Sequence, residues 1–338
     1  MRAFTRDSLP GRVVFGAGVA RSALGREVSA LGGARVLVIT TPRGEPLARE
    51  LAAPLGVAGV FTGVREHVPA AVAAAAVEAA ADADLLLCVG GGSSVGTAKA
   101  VALERRLPIV AVPTTYAGSE MTPVWGRTED GEKRTGRSPH VLPRTVVYDP
   151  SLTVGLPAAI TAASGMNALA HAVEAHYAPG VDPVTMIVAR EAVRALAAGL
   201  PLAVDEEDRE EALFGAYLAG AAFAVTGSGL HHTICHILGG AYDLPHAPTH
   251  AVLLPYVTAH VEASAPEALA GVGDALGATH AATGLRALAE RLAAPTALRD
   301  IGMRAEDLDD AARRVRERTG AELRELLGKA FEGTWEDL

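Results

Sequence analysis

The stretch DLLLCVGGGSSVGTAKAVALER, residues 84–105, runs from an unbroken apolar segment through three glycines and two serines into a pattern of helical spacing. An apolar run without polar alternation is what a strand buried on both faces requires, and such strands belong to parallel sheets covered by helices. Strand, glycine turn and helix in that order form one step of a β-α ladder.

The turn Gly90-Gly91-Gly92-Ser93 places free backbone N–H groups at a helix N-terminus. Those donors and the helix dipole bind phosphate, and missing Cβ atoms let it approach closely. Ser93 and Ser94 offer hydroxyls, and Gly96 and Thr97 continue the first turn. The spacing is neither G-x-G-x-x-G nor a Walker A loop, although Lys99 lies nearby. Pyrophosphate binding therefore competes with a plain tight turn as the use of these residues.

Outward from this step the alternation continues. RVVFG, ARVLVIT, VAGVFTGV and PIVAVP read as strands. SALGREVSALG, stopped by Gly32-Gly33, and GEPLARELAAPLG and PAAVAAAAVEAAADA read as helices. The pattern predicts a doubly wound parallel sheet. Residues 125–150, WGRTEDGEKRTGRSPHVLPRTVVYDP, are polar and turn-rich and read as a hairpin or excursion that returns to the sheet as RTVVYD. From about residue 157 the patterns are helical, beginning with AAITAASGMNALAHAVEAHYA. The expected organisation is an α/β domain over 1–155 and an all-α domain over 156–338.

The chain has 338 residues, 49% hydrophobic, and a formal net charge of −9. An acidic surface offers no field for nucleic acid or an anionic membrane. The Ala-rich run near 69–82 carries Glu78 and Asp82 and is too short to span a bilayer. The first residues show no secretory pattern, so a cytoplasmic protein is expected. Cys88 and Cys235 make no disulfide framework and read as small core residues.

A second polar turn, VPTTYAGSEMTP, follows the strand after the glycine turn and gathers Thr114, Thr115, Tyr116 and Ser119. Ligands of open α/β sheets bind outside the carboxyl ends of strands, so the two turns support each other. Tyr116 is a candidate to stack near a nicotinamide, with simple packing as its other use. Thr40-Thr41 ends another strand and should lie near the ribose of a dinucleotide. No Asp or Glu stands there to reject a 2′-phosphate, and Arg43 suits one.

In the helical half, Asn167, His171 and Glu174 stand at spacings of four and three and share a helix face. Ser164 reads as the N-cap of their helix. Glu174 is expected to cap or orient a neighbour on that helix. His232 and His236 pair at the same spacing of four, and His246 and His250 repeat it. Five of the 11 histidines thus fall in apolar helices on pairable faces, which points to one shared site. Clustered imidazoles ordinarily hold a transition metal, yet position 167 is Asn, a weak neutral ligand.

GGGSSVGTAKA, PTTYAGSEMTP, GMNALAHAVEA and DLPHAPTHAVLLPY together resemble the iron-containing (group III) alcohol dehydrogenase superfamily, from about residue 10 to 260. Within it, TTYAGSEMTPVWG, TGRSPHVLPRTVVYDP and LHHTICHILGGAYDLPHAPTH look like the maleylacetate reductase branch. The resemblance implies a Rossmann-like N-terminal α/β parallel-sheet domain plus an all-α C-terminal domain, a dehydroquinate synthase-like architecture with the active site in the cleft between. In metal-dependent members the helix reads G-M-D-x-x-x-H, and that Asp binds metal with three histidines. The corresponding residues here are Asn167, His171, His232 and His246. The wider family also has Asn where this chain has His250 and His where it has Tyr256. Asn at position 167 is the branch's own pattern, so no metal is expected.

The implied reaction is NADH- or NADPH-dependent reduction of maleylacetate, a small dicarboxylate, to 3-oxoadipate in a cytoplasmic homodimer. Asn167, His171, His232 and His246 would line the substrate pocket with His236 and His250 in or beside it, one imidazole acting as general acid. The cofactor would be held by Thr40, Gly90, Gly91, Gly92, Ser93, Ser94, Gly96, Thr97, Thr114, Thr115, Tyr116 and Ser119. Arg134, Arg137 and Arg144 are further candidates to meet a carboxylate. The rivals are a metal-dependent alcohol or aldehyde dehydrogenase, a reductase of another enoate, a dehydroquinate synthase-like lyase, and a non-catalytic nucleotide-binding protein.

Overall fold

In the computed structural model of the chain, residues 9, 11–129, 132–179, 181–205 and 208–335 are described. Two compact units divide the chain, Ser8–Leu156 and Pro157–Leu338.

The first unit alternates β1 (Arg12–Phe15), α1 (Val19–Ala30), β2 (Val36–Ile39), α2 (Glu45–Ala52), β3 (Val57–Phe61), α3 (Ala70–Ala79), β4 (Leu85–Gly90), α4 (Gly92–Arg105) and β5 (Ile109–Pro113). A hairpin of β6 (Val124–Glu129) and β7 (Glu132–Arg137) follows, then β8 (Thr145–Tyr148). Six strands form one sheet in the order β1-β8-β5-β4-β2-β3, every pair parallel, and the hairpin is a separate antiparallel sheet. The apolar runs explain the order. β2, β5 and β8 are buried throughout, as inner strands covered on both faces must be, whereas the edge strands β1 and β3 are partly exposed. Asp149, just past β8, fastens α1 to the sheet by accepting from the Gly18 and Ala20 amides at 2.9 and 3.0 Å.

The order places a topological switch point between β2 and β4. The chain leaves β2 toward β3 on one side and leaves β4 toward β5 on the other. Ligands of such sheets bind outside the strand ends at that position. Ile39 lies beside Cys88, so the Thr40 and Gly90 turns leave the sheet side by side.

The second unit is helical: α5 (Ala158–Tyr177), α6 (Pro183–Asp205), α7 (Glu210–Thr226), α8 (Leu230–Tyr242), α9 (His246–Ser264), α10 (Pro266–Leu276), α11 (Ala281–Arg291), α12 (Leu308–Thr319) and α13 (Arg324–Glu332). α5 is buried without a break from Thr161 to His176 and packs against α6, α7, α9 and α10. Its alanines and Gly165 make such all-round packing possible. A second core joins α8 and α9 to α12 and α13 through Leu238, Leu253, Val315 and Leu327.

Several sequence-based expectations shift in detail. Ser164 is not an N-cap: α5 begins six residues earlier, after Pro157, and the Ser164 hydroxyl donates to the Ile160 carbonyl at 2.7 Å. The run Ala158-Ala159-Ile160 forms helix readily, so the hydroxyl is left to bond back along the turn. α6 runs on past Gly199 and Pro201 to Asp205. Among the described residues no single helix is long and apolar enough to cross a membrane, and α7 with α8 pass that test only as a pair bent by 97°.

Candidate active site

The glycine turn of the first unit divides into glycines the protein needs and one it does not. Gly90 has φ 146°, and a Cβ there would stand 2.5 Å from Ser94 Oγ. At Gly91 a Cβ would come within 2.9 Å of Thr115. A Cβ at Gly92 meets only Ala117, at an ordinary 3.5 Å. Packing alone accounts for the first two, and the bare backbone at Gly92 has no such explanation.

α4 opens at Gly92 with Gly91 as its N-cap, so the Gly92 and Ser93 amides lack intrahelical acceptors, whereas Ser94 and Val95 donate to the Gly91 carbonyl. Ser93 is half-buried, whereas Ser94 and Thr97 are buried, and Thr97 spends its hydroxyl on the Ser93 carbonyl at 2.9 Å. Gly96 closes on Val68. Thr40 is likewise buried, against Gly44.

The second turn is locked to the first. The Thr114 amide donates to the Gly90 carbonyl at 3.1 Å. Lys99, one face of α4 further on and fully buried, donates to the carbonyls of Ser119, Thr122 and Val124 at 2.6, 2.8 and 2.7 Å. Burial pushes the Lys99 ammonium down to about 7, against the pull of the Glu120 carboxylate. Glu120 itself, raised by burial, accepts from the Tyr148 hydroxyl at 2.7 Å. Tyr116 is completely buried, which makes it a wall of this turn. The sequence placed Lys99 near the glycine turn without a role and assigned Glu120 none, although a charged residue inside the apolar pattern of α4 was a visible signal.

In the second unit all five predicted histidines converge from α5, α8 and α9. His171 stacks on His232 with ring centroids 4.9 Å apart, and Phe223 of α7 lies 4.4 Å from His171 and 4.7 Å from His232. His250 sits 4.6 Å from His232 and 4.5 Å from His246, and His236 lies 6.1 Å from both His232 and His246. His171, His232 and His250 are buried, while His236 and His246 are half-buried. Asn167 is buried on α5, one turn before His171.

The structure adds members that the spacing did not reveal. His231 is fully buried, and its Nε2 lies 2.9 Å from His250 Nδ1 and 3.6 Å from the Cys235 thiol. These three ligand atoms fall within 4.8 Å of one another, a metal-capable grouping that is equally a plain hydrogen-bond chain. Its signal was the doubled His-His of α8, of which only His232 had a histidine at helical spacing, with Cys235 one turn on from His231. Glu174 bonds Tyr177 on its own helix, as expected, and also reaches across to α8, with His232 Nδ1 and the Gly229 amide.

Charge is distributed unevenly here. Burial, then the neighbouring His232, holds His171 well below its ordinary value and brings His231 to about 3. Burial, then His246 and His232, does the same to His250. Burial alone would raise the Glu174 carboxyl, but His232 and the Gly229 amide bring it down to about 2. Three neutral buried imidazoles therefore stand beside one carboxylate–imidazole pair. They offer hydrogen bonds rather than fixed positive charge.

The four positions that the resemblance matches to a metal set hold one amide and three imidazoles here. Ferrous sites take an anionic oxygen with their histidines, and Asn167 supplies none, so the set does not fit that metal. Of the arginines of the excursion, Arg134 pairs with Glu129 at 3.2 Å on the hairpin, and Arg137 and Arg144 belong to the same unit as the sheet.

Comparison with known proteins matches this division. Residues 10–150 match the iron-containing alcohol dehydrogenase family, and residues 161–323 match the C-terminal part of the Fe-containing alcohol dehydrogenase family. The chain is 52% identical over 81% of its length to maleylacetate reductase 2 of Cupriavidus pinatubonensis, covering 79% of that protein. It is 45% identical to the maleylacetate reductase of a Rhizobium species, over 98% of this chain and 99% of that one. The crystal structure of maleylacetate reductase from Agrobacterium tumefaciens superposes with a TM-score of 0.92 at 43% identity, over 99% of both chains. A parallel-sheet unit ending in glycine and threonine turns, a helical unit built around clustered histidines, and relatives of this kind lead to one statement: the chain is an oxidoreductase that belongs to the iron-containing alcohol dehydrogenase family.

Proposed function

We propose that this enzyme reduces the conjugated carbon–carbon double bond of maleylacetate to give 3-oxoadipate, with NADH or NADPH and without a metal. The observation that carries the proposal is the neutral Asn167 beside a buried imidazole cluster, in a chain whose relatives at 45–52% identity are named maleylacetate reductases. A dinucleotide suits the switch-point turns of the first unit, where Gly92 leaves room for a phosphate and the amides at the start of α4 point outward from the helix. The bound nicotinamide supplies a hydride to the alkene carbon.

The chain's own residues handle the charge that this step creates. Electrons displaced from the double bond collect on the conjugated carbonyl oxygen, and N–H donors nearby lower the cost. His171, His246 and Asn167, with His232 when it is protonated, are proposed as those donors and as partners of the two carboxylates, each charge-assisted bond contributing about 1.5–3 kcal/mol. An imidazole then returns a proton to carbon. An Asp at 167 would instead repel the dianion, which is why the amide suits this substrate. A cytoplasmic homodimer belongs to the same proposal, and the exposed apolar side chains Ile160, Val184 and Ile187 support the dimer.

The test is spectrophotometric. Purified enzyme should oxidise NADH or NADPH with maleylacetate, at the same rate with and without EDTA. No rate above background with either cofactor removes the substrate assignment, and loss of the rate in EDTA removes metal independence.

A further inference from the structure

We infer that Glu174 is a positioning residue which holds His232 in the Nδ1–H form, so that this ring meets the substrate only through Nε2. The identity of the substrate rests on the proposed reduction, whereas the ring's tautomer stands on geometry alone.

Glu174 is buried on α5, and its carboxylate is satisfied from three sides by α8 and its approach. It accepts from the Gly229 amide at 3.0 Å, from the His232 amide at 3.3 Å and from His232 Nδ1. A carboxylate cannot donate, so the hydrogen in the last contact belongs to Nδ1. The opposite nitrogen, Nε2, is buried and has no protein partner among the described residues. His171 and Phe223 stack on the ring and stop it from turning over.

The same carboxylate replaces an absent cap. Gly229, the N-cap of α8, has no side chain to accept the first amides of the helix, and Glu174 accepts them from another helix. A Cβ at Gly229 would stand 2.9 Å from Glu174 Oε1, so the turn must be bare for the carboxylate to reach it. The backbone of α8 and the ring it carries are thus registered by one group. His231 and His250 bond to each other instead, and that pair leaves either tautomer open. Every hydrogen bond or proton that His232 offers a ligand therefore passes through Nε2, while Nδ1–H stays on Glu174.

Glu174 Oε2 takes both Nδ1 and the Gly229 amide, and Oε1 takes the His232 amide. In Glu174→Gln with the NH2 toward Nδ1, the remaining oxygen still accepts from the His232 amide, the Gly229 bond is lost, and the ring's tautomer is inverted. In histidine labelled with 15N, the wild-type enzyme without substrate should show His232 protonated at Nδ1, and E174Q should show that nitrogen bare. With maleylacetate, E174Q should lose about 10²-fold or more in kcat with an unchanged KM for NADH. A wild-type His232 bare at Nδ1 overturns the inference, as does an inverted tautomer with full kcat. Should E174Q not fold, the wild-type nitrogen spectrum decides by itself. If the wild-type enzyme does not turn over maleylacetate, the reaction falls while the spectrum still judges Glu174.

Discussion

Asn167 sets the electrostatics of the imidazole cluster by what it lacks. It is 2% exposed, so a charge placed there is poorly solvated and acts strongly on its neighbours. In Asn167→Asp the new carboxylate should pair with a protonated histidine and face the substrate's own carboxylates. In EDTA, KM for the dicarboxylate should rise by about tenfold or more, a loss of about 1.4 kcal/mol in binding. After incubation with ferrous iron or zinc, the variant should retain metal through gel filtration, read by elemental analysis. An unchanged KM in EDTA would show that the amide has no part in substrate binding.

Single helices and their turns carry the next set of properties. α4 begins where β4 ends; the turn after β5 is tied to the end of β4 by the Thr114 amide and to α4 by Lys99, further along the helix. Gly91→Ala pushes a methyl into Thr115 and should destabilise the protein. Gly92→Ala has room and replaces glycine at a helix start by a better helix former, so thermal stability should hold or rise. If phosphate approaches the chain at Gly92, the same variant should raise KM for NADH about tenfold with little change in kcat, since about 1.4 kcal/mol of binding is lost. Equal KM values in variant and wild type would return the glycine turn to the status of a plain connection. α8 is the complementary case, a helix whose start is organised by a side chain from α5 rather than by its own sequence.

The helical unit should lose stability in acid more steeply than the α/β unit. In the helical unit, His231 titrates at about 3 when folded against an ordinary 6.5, and His171 and His250 are depressed too. The unfolded chain therefore binds more protons between pH 6.5 and 3, and stability falls through that window as pH drops, by about 1.4 kcal/mol per proton per pH unit. Glu174, lowered to about 2 from 4.5, adds to the loss below pH 4.5. In the α/β unit Glu120 is raised, so its contribution is present at low pH and is lost as pH rises through its folded value. Each unit holds one of the two tryptophans, Trp125 and Trp335. With W125F and W335F reporting separately by fluorescence, the Trp335 melting temperature should fall from pH 6.5 to 4 and the Trp125 signal should persist longer. Parallel curves would contradict the assigned proton linkage.

The alternation of unbroken apolar runs with helical patterns was enough to derive a parallel sheet followed by a helical unit, because burial on both faces leaves that trace in composition and local order. Asn167, His171, His232, His236, His246 and His250 were legible for a similar reason, since residues three or four apart on a helix share a face whatever lies opposite. Contacts between helices leave no such periodic mark. The pairing of His231 with His250, the reach of Glu174 to α8, and the burial of Lys99 among three carbonyls all join segments distant in sequence. Local spacing named the imidazoles. Which nitrogen each ring presents, and which rings stay neutral, came from packing, because burial and a neighbour's charge depend on distances that only the folded chain sets.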